Sequence, residues 1–253
     1  MFCLRFLSVV ANIGVLFNSI WDLYRSVFPL ITIIDPASLR DMINSLINIF
    51  QHEGWLPDCR MSLCKGFTQG GSNADVLIGD AFLKNVTGIN WNDAYAAVLQ
   101  DAEVEPLDWS VEGRGGLTSW KTLGYIPADD FDPYGVGPQT RSISRTIEYA
   151  YNDFVIAEIA KGLGNDADYI KYIARSGNWH NVFLPNQTSN VNGVPTGFTG
   201  FLQARYSNGT WGSQNPAACS PLLDPDSCFL YPTGTVLETY EASIWLYTLY
   251  VHT

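Results

Sequence analysis

The feature that most constrains the fold is a long loop between two helical patterns. The helix before it ends at Gly54, and a new apolar repeat begins after residues 72–75, Ser-Asn-Ala-Asp. Between them lie an extended Leu56-Pro57 step, two cysteines and three glycines. A loop of this length between helices is uncommon unless it has a function. The stretch predicts a helical protein with a ligand site on a loop, or else a capped helix after a structural loop.

The side chains of this stretch suit a neutral polyhydroxyl ligand such as a sugar. Glycines allow a backbone to approach a ligand closely. Trp55 and Phe67 add flat apolar surface. Polar carboxylate, amide and guanidinium groups are interspersed among them, at Asp58, Arg60, Gln69, Asn73 and Asp75.

Start and stop signals predict the helices on either side. Asp35-Pro36 is typical of a helix start, and Gly54 of a helix end. Asn90 is a candidate N-cap for another helix, and the longest apolar repeat covers residues 140–163. Asp166 is expected to cap its antiparallel partner. The pattern predicts an all-α fold with long loops and a small β-hairpin at residues 201–211, and a final helix over residues 237–251.

Charge and histidine content exclude several classes of partner. The net charge of −11 argues against a nucleic-acid ligand held through its phosphates. The three histidines are scattered and no CxxC occurs, which argues against zinc. Asp129, Asp130 and Asp132 form an acidic cluster without the spacing of an EF-hand, so it indicates either a calcium site or a capped turn.

Cysteines and sequons favour a secretory compartment. Cys59 pairs naturally by spacing with Cys64, and Cys219 with Cys228. Three asparagines begin N-glycosylation sequons, Asn85, Asn186 and Asn208. Residues 1–17 contain an apolar run like the core of a signal peptide, too short for a stable membrane span; the alternative is an aberrant apolar segment, such as a truncated buried helix.

Six motifs in order resemble glycoside hydrolase family 92, the calcium-dependent exo-acting α-mannosidases. No serine-hydrolase elbow, Walker loop, dinucleotide fingerprint or HExxH motif competes with that assignment. The motifs are IWDLYRS at 20–26, GWLPDCR at 54–60, GGSNADVLIGDAFLK at 70–84, SRTIEYAYNDFVIAEIAKGLG at 144–164, GFTGFLQARYSNGTW at 197–211 and YEASIW at 240–245.

The resemblance implies a fold and a set of site residues. Residues 18–253 would form an incomplete (α/α)6 barrel, which the full enzymes pack against a β-sandwich. Glu241 matches the general acid, although Ala242 stands where members usually have glycine. Substrate-binding positions would be Trp21, Asp22, Arg25, Gly71, Asn73, Asp75 and Asp153.

The resemblance also implies what this chain does not carry. The family's base aspartate and its main calcium-binding segment are expected beyond Glu241, so no metal ligand is assigned here and calcium is expected only in the full enzyme. The sequence therefore predicts an inverting α-1,2-mannosidase of mannose-rich N-glycans that is inactive as this truncated chain. The alternative is a non-catalytic glycan-binding module or an inert truncated product.

Overall fold

The computed structural model describes residues 20–58, 60–61, 64–65, 68, 71–130, 141–219, 229–230 and 237–238. Within that part the protein is mostly helical. The helices are α1 (Ile20–Leu23), α2 (Val27–Ile34), α3 (Pro36–Glu53), α4 (Asn73–Leu83), α5 (Trp91–Glu103), α6 (Leu117–Leu123), α7 (Ser142–Leu163) and α8 (Asp166–Ser176). Short 3-10 helices cover Gly177–Val182 and Pro216–Cys219.

The strands form three two-stranded antiparallel ladders. In chain order they are β1 (Arg60–Met61), β2 (Cys64–Lys65), β3 (Phe183–Val191), β4 (Val194–Leu202), β5 (Phe229–Leu230) and β6 (Leu237–Glu238). Consecutive strands pair in each ladder. Among the described helices, none is both long and apolar enough to cross a membrane.

The predicted helix boundaries are confirmed where capping signals fixed them. Asp35 accepts a hydrogen bond from the Ser38 backbone N–H at 3.1 Å, and Pro36 is the first residue of α3. Gly54 ends that helix in the left-handed conformation, with φ of 95°. Asn90 caps α5 by accepting from the Asn92 backbone N–H at 3.2 Å. Local chemistry therefore suffices to place these ends.

The chain divides into two compact units, and the first comprises Met1–Leu117 and Tyr151–Ser176. Its apolar core draws on α3, α4, α5, the second part of α7 and α8. Where α4 meets α7, a Cβ added at Gly79 would collide with the Val155 side chain, so only glycine permits this approach. Phe82 and Trp91 pack edge to face with centroids 5.1 Å apart.

The second unit comprises Thr118–Ala150 and Gly177–Thr253. Its core is a smaller cluster that includes Tyr125, Ile143, Ile147 and Leu202. Two hydrogen bonds join Ile126 to the start of α7: Ser142 Oγ donates to its carbonyl at 2.6 Å, and its N–H donates to Thr146 Oγ1 at 2.9 Å. The largest ladder of the described residues, β3 with β4, belongs to this unit.

The predicted hairpin position was wrong in part. The hairpin formed by the two nine-residue strands β3 and β4 turns at Asn192-Gly193, where both residues have positive φ, 50° and 79°. That conformation matches the two-residue turn favoured by the twist of paired strands. Around Asn208-Gly209 only a single bridge forms, between Arg205 and Trp211. The sequence carries two Asn-Gly turns, and of these the first joins the paired strands of a ladder.

The prediction of a helix from residue 237 was also wrong at its start. Leu237 and Glu238 form β6, paired with Leu230 and Phe229. A segment with β-branched and apolar residues can form its backbone hydrogen bonds in a β-ladder as readily as in a helix. Here residues 237–238 form them with a neighbouring strand. The rest of that predicted helix lies outside the described residues.

Candidate functional site

The start of α4 is held by one carboxylate from the loop before it. Asp58 Oδ1 accepts from the Asn73 backbone N–H at 3.2 Å and from Asn73 Nδ2 at 2.7 Å. The Asp58 carbonyl accepts from the Ile20 N–H at 3.1 Å. Asp58 is 1% exposed and Asn73 is fully buried. The loop, the first residue of α1 and the N-terminus of α4 therefore meet at Asp58.

Ser72 forms the next joint. Its backbone exchanges two hydrogen bonds with the Asn152 amide: the Ser72 N–H donates to Oδ1 at 3.2 Å, and Nδ2 donates to the Ser72 carbonyl at 2.9 Å. Its hydroxyl lies 2.6 Å from Asp101 Oδ2 and 3.3 Å from Asp75 Oδ1. Asp101 Oδ1 also accepts from the Leu56 N–H at 3.2 Å. Side chains from α5 and α7 thus fix both ends of the long loop.

Arg114 is the centre of the buried charge cluster. Its Nη2 donates to Asp75 Oδ2 at 2.6 Å, and its Nη1 donates to Asp153 Oδ1 at 2.7 Å. All three side chains are fully buried. One guanidinium therefore joins the first turn of α4 to the polar face of α7. Removing it would leave Asp75 buried without its arginine and Asp153 with Arg175 alone.

A second arginine extends the cluster towards α8. Arg175 Nε lies 2.7 Å from Asp153 Oδ2, and Nη1 donates to Glu103 Oε1 at 2.7 Å. The same Glu103 oxygen accepts from the Tyr172 hydroxyl at 2.8 Å and lies 2.9 Å from Lys171 Nζ. The Arg175 guanidinium also sits over the Tyr172 ring. These contacts connect α5, α7 and α8 through alternating charges.

Burial changes the protonation of the cluster. Desolvation raises the pKa of Asp75 to about 6, against the opposing effect of the Arg114 charge. Desolvation also raises the pKa of Asp101 well above its usual range, and the negative charge of Asp75 adds to that effect. Burial alone would lower the pKa of Arg114, but Asp75 and Asp153 outweigh it and raise the pKa. Burial therefore favours the protonated form of Asp101, which accepts from the Ser72 hydroxyl at 2.6 Å.

The raised pKa values predict that the free energy of unfolding falls as pH rises. In the unfolded chain both carboxyls titrate near pH 4, so below that pH their contribution is fully present. Between pH 4 and the folded-state pKa values the native state holds protons that the unfolded state has released. Stability should decline across this window, by up to about 1.4 kcal/mol per pH unit for each proton. Urea unfolding at pH 4.5, 6 and 8 measures this decline in the free energy of unfolding.

Asp101→Asn should flatten this pH dependence. Its amide can donate to Ser72 and accept from the Leu56 N–H, like the protonated acid. The exposed substitution Asp41→Asn is the control and should keep the wild-type slope. Equal slopes in wild type and Asp101→Asn would contradict a raised pKa of Asp101.

The structure brings part of the predicted set together. Gly71, Asn73, Asp75 and Asp153 all lie buried in the first unit, linked through Asp58, Ser72 and Arg114. Arg25 is exposed on the turn after α1, with its guanidinium 4.7 Å from the Tyr24 ring centroid. The side chains of Trp21 and Asp22, and Glu241 itself, lie outside the described part of the chain.

Sequence reasoning missed several members of the cluster. Arg114, Asp101 and Arg175 carried no prediction, because they lie outside the motifs and pair only across the folded unit. One signal was available for Arg114: glycines flank it on both sides. A Cβ at Gly115 would collide with the Trp109 ring, so this segment is packed too tightly for any larger residue.

No calcium site is identified among the described residues. No group of three or more acidic, histidine or cysteine side chains able to hold a metal gathers within them. The acidic cluster has other partners: Asp129 accepts from the Ser207 backbone N–H at 2.7 Å and hydroxyl at 2.8 Å, and Asp130 accepts from the Ser119 hydroxyl. Asp129 thus caps a turn; Asp132 lies outside the described part.

Comparison with known proteins identifies the family. The model of the glycosyl hydrolase family 92 catalytic domain matches residues 9–253. An uncharacterized secreted glycosidase of Arthroderma benhamiae is 56% identical over 206 residues, which cover 81% of this chain and 26% of that protein. This chain therefore spans about a quarter of that relative's length.

Solved structures similar to this chain belong to the same family. The family GH92 inverting mannosidase BT2199 of Bacteroides thetaiotaomicron VPI-5482 is 26% identical, with a TM-score of 0.66 over 78% of this chain and 24% of its own. The α-mannosidase BT3965 of the same species, solved with mannoimidazole, is 24% identical and shares the fold, with a TM-score of 0.62 over 77% of this chain and 22% of its own. The chain belongs to glycosyl hydrolase family 92, within its catalytic domain.

Proposed function

We propose that this chain supplies part of an exo-α-1,2-mannosidase that hydrolyses mannose-rich N-glycans with inversion. The observation that carries the proposal is the match of residues 9–253 to the family 92 catalytic domain. The similarity to a solved inverting mannosidase supports the stereochemistry. The helices of the described residues are compatible with an (α/α)6 barrel, and a β-sandwich and further helical segments would complete the cleft.

Glu241 is the proposed general acid. Cleavage requires a proton on the departing glycosidic oxygen while a water attacks the opposite face of the sugar. In an inverting enzyme the two carboxyl groups stand about 6.5–9.5 Å apart, which leaves room for that water. The base would be an aspartate from outside residues 1–253. The family resemblance implies a calcium ion in the full enzyme, and no residue of this chain is proposed to hold it.

The remaining proposed residues hold the sugar and the loops around it. Trp21 offers a flat face, and Asp22 and Arg25 offer polar groups at the start of the chain's helical part. Asp75 and Asp153 are enclosed and paired to Arg114, so they serve the cleft by fixing its loop and helices. Gly71 and Asn73 occupy the joint that those contacts hold in place.

The test of this function is mannose release from α-1,2-mannobiose. Residues 1–253 alone should release little or none, because one catalytic carboxylate would be absent and its loss costs several decades of rate. A fusion to the remaining segments of a full-length relative should be active and should yield β-mannose first, as seen by NMR. Release of α-mannose first would contradict inversion. An inactive fusion that is correctly folded would contradict the mannosidase proposal itself.

Secretion is the proposed localisation, and the relative named as secreted supports it. Two disulfides are expected, Cys59 with Cys64 and Cys219 with Cys228, although their side chains lie outside the described part. The sequon asparagines Asn85, Asn186 and Asn208 are all exposed and can carry a glycan without disturbing the core. Non-reducing peptide mapping after deglycosylation in heavy-oxygen water should find both crosslinks and labelled asparagines. Four free thiols in secreted material would contradict the pairing.

A further inference from the structure

A turn in the second unit is closed by its own backbone. The Gly209 N–H donates to the Tyr206 carbonyl at 2.8 Å, and the Tyr206 N–H donates to the Thr210 carbonyl at 2.8 Å. Gly209 has a φ of 85°, in the left-handed region. This pattern is that of a three-residue hairpin loop ending in a glycine bulge, in which Tyr206 lies opposite Gly209 and Thr210 together. Arg205 and Trp211 pair as the bridge next to the loop.

Three side chains of this turn lie on one face. Asn208 Oδ1 accepts from the Thr210 N–H at 2.9 Å and from the Thr210 hydroxyl at 2.7 Å, so the amide lies beside the threonine side chain. Thr210 lies opposite Tyr206, and opposed residues of an antiparallel pair point to the same face. Because an N–H can only donate, the bonded atom of Asn208 is its oxygen. The nitrogen that would carry a glycan takes no part in either bond.

The turn and its tyrosine are held in place from outside. Asp129 accepts from the Ser207 N–H at 2.7 Å and from the Ser207 hydroxyl at 2.8 Å. The Tyr125 hydroxyl donates to the Tyr206 carbonyl at 2.9 Å. Tyr206 is half-buried against the apolar cluster of the second unit, whereas Asn208 is exposed. A sugar attached to Asn208 would therefore meet a ring that needs little further ordering, which lowers the entropic cost of the contact.

This arrangement distinguishes Asn208 from the other two sequon asparagines. Asn85 follows the end of α4, and Asn186 lies within strand β3. In both sequons the residue two positions earlier is a leucine, whereas Asn208 has Tyr206 at that spacing. All three asparagines are exposed. Only the third sequon therefore combines an exposed asparagine with an aromatic ring on the same face of a closed turn.

We propose that the first N-acetylglucosamine of an N-linked glycan on Asn208 packs against the Tyr206 ring and stabilises this turn. An aromatic ring has a negative face, and the C–H groups on one side of a pyranose are apolar and slightly positive, so the two surfaces attract each other. The sugar is already tethered, so the contact is intramolecular and costs little association entropy. The inference rests on the proposed secretion and is independent of the mannosidase proposal.

The attachment itself is the ordinary reaction of the secretory pathway. The host transferase joins Asn208 Nδ2 to the anomeric carbon of an oligosaccharide carried on a lipid pyrophosphate. The amide nitrogen loses one proton, and the lipid pyrophosphate is the leaving group. The product keeps the amide oxygen, so the two hydrogen bonds from Thr210 can persist in the glycosylated protein.

The experiment isolates this one glycan. Asn85→Gln and Asn186→Gln leave Asn208 as the remaining sequon of residues 1–253. The chain is directed by an added leader into a eukaryotic secretory pathway and trimmed by an endoglycosidase to one N-acetylglucosamine. The same sequence from the bacterial periplasm, where disulfides also form, carries no sugar. The single sugar should raise Tm by about 2–4 °C, the shift that a contact of about 1 kcal/mol gives in a chain of this size.

Tyr206→Leu separates the ring contact from other effects of the sugar. Leucine keeps an apolar side chain against the cluster but has no ring, so the sugar should then leave Tm unchanged, as a double-mutant cycle requires. A second measurement does not depend on stability: the pyranose C–H protons should be shifted upfield by the ring in wild type and not in Tyr206→Leu. A chain that keeps only the Asn186 sequon is the matched control, and its sugar should leave Tm unchanged.

Each failure has a distinct meaning. A sugar on Asn208 that shows no upfield shift, or that raises Tm equally in Tyr206→Leu, would overturn the inference. Glycans on Asn85 and Asn186 with none on Asn208 of the wild-type chain would also overturn it and leave the proposed secretion standing. Unmodified asparagines at all three positions would overturn the whole glycan assignment. The mannosidase proposal is decided separately, by mannose release.

Discussion

Replacing Arg114 with methionine should lower the free energy of unfolding by about 3–5 kcal/mol, the usual cost of breaking a buried ion pair. Arg114 is the shared partner of Asp75 and Asp153, and the three side chains are fully buried. Methionine fills similar volume without the charge, so Asp75 would have to be protonated or hydrated and Asp153 would keep only Arg175. For a domain of ordinary stability this is a large fraction of the total. Urea unfolding at pH 7 measures the loss.

A surface arginine provides the matched control. Arg40 Nη2 lies 2.8 Å from Asp41 Oδ1, but the side chains are 38% and 52% exposed. Arg40→Met should cost at most about 1 kcal/mol, since solvent already screens this pair. Adding Asp75→Asn to Arg114→Met should recover part of its loss, because the uncompensated charge is gone. A cost for Arg114→Met no larger than that of Arg40→Met would refute the central role of Arg114.

The helices of the first unit could be predicted because their signals are local. Asp35-Pro36 and Gly54 specify both ends of α3 within a few residues. The same holds for Asn90 at the start of α5. Capping satisfies backbone groups from neighbours in sequence, so tertiary context hardly changes it. The family resemblance rested on the same local stretches, and the family model confirms it.

The charge cluster could not be predicted, because its members are distant in sequence. Arg114 and Asp75 are 39 residues apart, and so are Arg114 and Asp153. Arg114 lies in a glycine-rich stretch without apolar periodicity. Secondary structure and burial therefore cannot be predicted there from the spacing of apolar residues. Asp101 is placed in α5 by its apolar neighbours, and only packing shows that it turns towards Ser72. The ion pairs and hydrogen bonds between residues distant in sequence are thus the part of the candidate site that could not be predicted from the sequence.

Glu241→Gln should abolish hydrolysis of α-1,2-mannobiose in the completed domain, a fall of about two to four decades in kcat. A sugar leaving group is strongly basic and cannot depart without a proton, and glutamine has none to give. An activated aryl mannoside leaves as a stable phenolate, so its hydrolysis should fall far less. The comparison is kcat/KM for both substrates in the fusion described above, wild type and variant together.

The difference between the substrates, rather than the loss alone, identifies an acid. A residue that only orients the sugar would slow both substrates equally, because binding does not depend on the leaving group. Glu158, a half-buried glutamate on α7, supplies the control: Glu158→Gln removes the same charge and should leave both rates unchanged. Added azide should not restore the sugar substrate, since a small anion replaces a nucleophile or base and not the proton on the departing oxygen. Equal losses on both substrates would assign Glu241 to binding, and no loss on either would place the acid at another carboxylate.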